Sequence, residues 1–120
     1  MTEVKLHVQD LGSFFAEAKR MGRQIDQGHG AAESAEIAFE TMETLLKVLT
    51  PNRWALLRTL RQRGPSSIRA LSKVLGRDYR GVHADVMALI DAGLIEKDAD
   101  GLVRVPWDRI TAEMSIGLAA

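Results

Sequence analysis

The chain contains no cysteine, which removes disulfides and thiolate metal sites and fits a reducing, cytoplasmic setting. Aromatic residues are scarce: two Trp, one Tyr and three Phe among 120 residues, so Leu, Ile, Val, Ala and Met must fill the core. No apolar run approaches the roughly 18 residues needed to span a bilayer. Glu3 and Lys5 at the N-terminus do not open a signal peptide. A soluble protein with no membrane partner is expected, of one domain or a small domain with an appendage. An excess of either charge is also missing, with 16 basic and 16 acidic residues.

That balance hides a division along the chain. Between Pro51 and Ala84 stand Arg53, Arg58, Arg61, Arg63, Arg69, Lys73, Arg77 and Arg80 against Asp78 alone, a net of +7. The first fifty residues carry −3, and the segment from Asp85 onward carries −4. Surface helices often carry arginine, so the cluster needs a structural context before it means anything.

Local signals supply that context. Thr50-Pro51 offers an N-cap oxygen and a proline at the first helical position, which predicts a helix through Arg63. Gly64-Pro65 stops it, and Ser66 or Ser67 caps a second helix with Ile68, Leu71 and Leu75 on one side. Gly76 suits the left-handed position after a helix end. Asp78 can accept from the free N–H groups of Arg80 and Gly81 and so open a third helix, closed by Gly93. Val82, Val86, Leu89 and Ile90 give that helix an apolar face. Asp100-Gly101 between two short β-prone runs predicts a hairpin. Helix, tight turn, helix and hairpin in this order make a winged helix-turn-helix, whose second helix lies in the DNA major groove.

The flanks read differently. Val4, Leu6 and Val8 alternate with polar residues as a short strand does. Leu11, Phe14, Phe15, Ala18, Met21 and Ile25 mark one face of an amphipathic helix. Residues 36–40 form a second strand or begin the next helix, and Met42, Leu45, Leu46 and Leu49 lie on a short helix before Thr50. Ile110, Ala112, Met114, Ile116 and Leu118 alternate with polar or small residues, which favours a half-buried strand. A strand needs a neighbour, either Val4–Val8 or Ile37–Phe39, in this chain or in a second copy. The expected fold class is thus α+β, mainly helical. An N-terminal β-α-β-type extension for dimerisation or partner binding covers 1–49, the winged helix-turn-helix 50–109, and a C-terminal strand 110–120.

The basic cluster falls where such a motif meets phosphate. Projection at about 100° per residue turns Val82, Val86 and Leu89 inward and Arg80, Ala84 and Met87 outward, with Gly81 and His83 at the edges. Arg80 is the candidate for bidentate contact with guanine. Arg69, Lys73 and Arg77 are candidate phosphate clamps. Tyr79 either contacts a phosphate or thymine methyl or closes the gap between helices, and His83 is either a DNA contact or a structural donor. Ser67, Gly81, Ala84, Lys97 and Arg104 complete the candidate contact set. Gly81 and Ala84 supply no hydrogen-bonding side chain, so selectivity per copy is modest and two half-sites are needed. Asp98 and Asp100 at the hairpin tip are repelled by the minor groove.

Leu46-Lys-Val-Leu-Thr-Pro-Asn-Arg53, Leu75-Gly-Arg-Asp-Tyr79, Val82-His83, Asp85-Val86, Gly93-Leu-Ile95 and Asp100-Gly-Leu-Val-Arg-Val-Pro106 resemble short archaeal and bacterial winged-helix proteins akin to MarR-type regulators. The resemblance runs from Leu45 to Ile110. It implies a homodimeric, sequence-specific binder of double-stranded operator DNA, a transcriptional regulator acting as a repressor. Members often look like antitoxins, which adds a cognate toxin protein as a partner. The competing reading is a winged-helix protein-interaction module that neutralises or scaffolds a partner without specific DNA binding. Catalysis is not expected: His7, His29 and His83 lie far apart, with no HExxH and no nucleophile motif. No cofactor or metal is implied.

Overall fold

A computed structural model describes residues 2–9 and 34–116. The chain is α+β and divides into two compact units, Met1–Leu46 with Trp107–Ala120, and Lys47–Pro106. The second unit is therefore an insertion between strands of the first.

The first unit holds strands β1 (Glu3–Val8), β2 (Ser34–Phe39) and β5 (Arg109–Ala112). They form one parallel sheet in the order β2-β1-β5. The alternation in sequence becomes two chemically distinct faces. Val4 and Leu6, both fully buried, lie in register with Ala35 and Ile37 on one side and with Ile110 and Ala112 on the other. The opposite face carries Lys5, His7, Glu36, Thr111 and Glu113. There Lys5 Nζ meets Glu113 Oε2 at 2.7 Å, and His7 Nε2 stands 3.4 Å from Glu36 Oε2 without hydrogen-bond geometry.

Both β1 and the second stretch, left open between strand and helix in sequence, are strands. The C-terminal run finds its neighbour within the same chain. It is shorter than its nine-residue alternation predicts: the ladder closes where the Glu113 N–H donates to Leu6 C=O at 2.9 Å, although β1 runs on to Val8. Asp108 starts this return, accepting from the Thr2 N–H at 2.8 Å through Oδ2. Parallel strands require a crossover of about a dozen residues or more. The amphipathic helix expected over Leu11–Ile25, and Leu118, lie outside the described residues.

Helix α1 (Met42–Val48) follows β2 and buries Leu45. Its last carbonyls, Lys47 and Val48, accept from Arg53 Nη1. The second unit then comprises α2 (Pro51–Arg63), α3 (Ile68–Leu75), α4 (Tyr79–Ala92) and an antiparallel pair, β3 (Glu96–Lys97) with β4 (Val103–Arg104). Each cap takes the form its residues dictate. Thr50 Oγ1 accepts from the Arg53 N–H, Ser67 Oγ from Ala70 and Asp78 Oδ2 from Arg80. Gly76 and Gly93 close α3 and α4 at φ 65° and 89°, where a Cβ would be penalised.

Of the two cap candidates, Ser67 is the cap. Ser66 instead exchanges backbone hydrogen bonds with Val103 at 3.0 and 2.8 Å, an isolated antiparallel bridge to β4. Leu56, Leu60, Leu71, Val82, Val86, Leu89, Leu94 and Val103 are fully buried and make the core of this unit. Burying each such side chain contributes about 1.5–3 kcal/mol. The three α4 residues among them are those the helical projection turns inward.

Candidate nucleic-acid interface

Two features of α3 and α4 decide which charges remain available on their outer surface. The first is a stack. Arg69 on α3 places its guanidinium carbon 4.9 Å from the centroid of the Tyr79 ring at the start of α4. Tyr79 in turn lies 5.8 Å from the His83 ring, one helical turn on, tilted by 39°. Tyr79 remains 38% exposed, so it bridges the helices at the surface and is not swallowed by the core. A guanidinium over an aromatic face is held by the ring quadrupole while its edge stays open to a ligand.

The second feature is a carboxylate shared by two arginines. Asp85, on the second turn of α4, accepts from Arg53 Nε at 3.0 Å through Oδ1 and from Arg77 Nη2 at 2.8 Å through Oδ2. All three side chains are largely covered, Asp85 being 15% exposed. The pairing spans three segments: the first turn of α2, the turn between α3 and α4, and α4 itself. Arg77 reaches Asp85 across Gly81, where a Cβ would stand 3.5 Å from Nη2.

The candidate contact residues therefore separate. Arg69, Lys73, Tyr79, Arg80 and Ala84 are exposed, and Gly81 and His83 are half-buried at the edge of the same surface. Arg77 is committed to Asp85 and has its Nη1 buried without a hydrogen-bond partner among the described residues. It lacks the freedom of Arg69 and Lys73 to clamp a phosphate. Ser67 is exposed but spends its hydroxyl oxygen on the Ala70 N–H. On the hairpin, Lys97 is exposed, whereas Arg104 pairs with Glu96 at 2.7 Å across the strands. The tip is ordered by Asp98, whose Oδ1 accepts from the Asp100 and Leu102 N–H groups at 2.9 and 3.0 Å.

Asp85 and Arg53, which hold Arg77 away from the open surface as one ion-pair cluster, are passed over by motif reading. A signal exists for Asp85: Arg77, Gly81 and Asp85 recur at intervals of four, which aligns them on one side of a helix and its entry. The residue between is the one that leaves room for a long side chain. Among the described residues no cluster of His, Asp or Glu could hold a metal ion, and no helix is long and apolar enough to cross a membrane.

The model of the family HVO_A0114 matches residues 48–112. No curated protein and no solved structure matches the chain.

Proposed function

We propose, for a chain that belongs to the HVO_A0114 family, that the helical unit is a winged helix-turn-helix and that the protein is a transcriptional regulator binding double-stranded DNA as two copies. α4 is the helix that enters the major groove, with Arg80 at its exposed first turn reading bases and Arg69 and Lys73 on phosphate. The observation that carries this reading is how the acids in and beside the basic stretch are placed. Asp78 is engaged with the Arg80 N–H and Asp85 with Arg53 and Arg77. Arg69, Lys73 and Arg80 are exposed, and no carboxylate among the described residues forms an ion pair with them. Their cationic field is therefore presented outward.

The hairpin contributes little to this contact. Arg104 is neutralised by Glu96, and Asp98 and Asp100 carry the wrong sign for the negative potential of the minor groove. Lys97 is the hairpin cation with no ion pair among the described residues.

Fluorescence anisotropy with duplexes from the region upstream of the gene tests the reading. Two to three phosphate contacts in each of two copies make affinity fall by about 10²–10³ between 50 and 200 mM salt. A native fragment must also bind more tightly than a scrambled one of equal length. Absence of any salt-sensitive association leaves the protein-docking alternative in its place.

A further inference from the structure

β1 lies in the middle of its sheet, so β2 and β5 each present one edge. On β5 the Arg109 and Glu113 N–H groups donate to Thr2 and Leu6 of the β1 side, at 3.2 and 2.9 Å. Peptide groups alternate in direction along a strand, so those of Ile110 and Ala112 point away from β1, toward an edge with no described strand beside it. Such an edge is a template for another strand unless something protects it.

The two edges are not equivalent. β2 carries Glu36, is followed by Glu40, and has no basic residue. Two β2 edges brought together meet their own sign. β5 has Arg109 at its start and Glu113 just past its end, with Thr111 midway. These three share the polar face of the sheet. We infer that β5 is a self-complementary edge, which pairs antiparallel with β5 of a second copy about a two-fold axis at Thr111.

In that register Arg109 of each copy faces Glu113 of the other, and Ile110 faces Ala112 with both peptide groups hydrogen-bonded. Glu113 already meets Lys5 at 2.7 Å and has a second carboxylate oxygen for the incoming arginine. Met114 and Ile116, 66% and 98% exposed, follow the apolar parity of Ile110 and Ala112. Met114 falls diagonal to Ile110 of the second copy, within reach for a long side chain. Two three-stranded sheets become one of six strands, with the protected β2 edges outermost.

The inference rests on the reading that two copies act together, but not on DNA, and it is tested without DNA by light scattering over a dilution series. Ala112→Pro removes only an outward N–H, a substitution that an edge tolerates, and is expected to leave monomer. Arg109→Glu and Glu113→Lys each set like charges opposite one another twice per dimer, and each raises the dimer Kd about tenfold. Mixed in equal amounts, these two variants regain opposite charges at both positions, and dimer returns. Circular dichroism establishes that each variant is folded; should Ala112→Pro fail to fold, the charge pair carries the test alone. A monomeric parent chain, a dimer indifferent to these substitutions, or loss without recovery on mixing each overturns the inference. An intact dimer that ignores DNA overturns only the functional reading.

Discussion

Asp85 accepts Arg77 at 2.8 Å and Arg53 at 3.0 Å, one guanidinium on each carboxylate oxygen. The pairing joins the entry of α2, the turn after α3 and the body of α4, so it governs how α4 is held against its neighbours. Asp85→Asn keeps the volume and removes the charge, leaving two largely covered guanidinium groups undercompensated. A loss of about 1–3 kcal/mol in unfolding free energy is expected, below the cost of breaking a fully buried pair because all three groups retain some water. Urea denaturation measures it. A change within about 0.5 kcal/mol, the range of ordinary surface substitutions, would show that solvent serves these groups equally well.

Gly81 lies inside α4 with ordinary helical backbone, and a Cβ there would make only van der Waals contact with Arg77 Nη2 at 3.5 Å. Alanine therefore fits, and it removes the entropic cost of glycine in the first turn of the helix. Gly81→Ala is expected to raise stability by about 0.5–1 kcal/mol. A leucine at the same position must displace the Arg77 side chain from Asp85 and reverse the sign. Thermal unfolding of both variants separates space from propensity; destabilisation by alanine would show that glycine at this position is not a cost to the helix.

The parts of this architecture legible in sequence are those set by neighbours in the chain. Thr50, Ser67 and Asp78 cap helices because each oxygen reaches an N–H two or three residues on. Gly101, at φ 83°, turns the hairpin because a side chain there would be strained. Val82, Val86 and Leu89 are buried as their spacing requires. What escaped notice depends on distant partners. Arg77 and Arg104 each read as a free cation, and only the fold brings Asp85 and Glu96 to them. The C-terminal alternation announced a strand, yet neither its parallel pairing nor its end at Ala112 follows from residue pattern. The pairing is set by β1, a strand more than a hundred residues away in the chain.

Within the proposed DNA surface, three substitutions separate three roles. Lys73→Ala removes one exposed phosphate contact, weakening native and scrambled duplexes alike and lowering the salt slope by about one. Arg80→Ala costs more on the native fragment than on the scrambled one, by about 1–3 kcal/mol for a lost bidentate base contact. Tyr79→Ala leaves every charge in place but takes away the ring beneath Arg69. Its expected effect is about two- to fivefold in affinity, the value of an exposed cation–π contact. Equal losses on both duplexes for Arg80→Ala would assign Arg80 to backbone, and unchanged binding by Tyr79→Ala would show that Arg69 needs no platform.

The Lys5–Glu113 contact across β1 and β5 has a pH signature. Hydrogen bonding from Lys5, reinforced by its charge, holds the Glu113 carboxyl below its ordinary 4.5, and the same bond raises Lys5 above 10.5. For Glu113 the stabilising contribution is complete above 4.5 and is lost as pH falls through the depressed folded value. For Lys5 it is complete below 10.5 and is lost as pH rises through the elevated one. The pair therefore favours the sheet throughout the neutral range, modestly, since both side chains face water. A carboxyl-detected NMR titration is expected to place Glu113 below 4.5 in the parent chain and to bring it back toward that value in Lys5→Met. Any depression that survives Lys5→Met and fades on dilution belongs to Arg109 of a second copy. An unaltered Glu113 midpoint in Lys5→Met at every concentration would remove Lys5 as its cause.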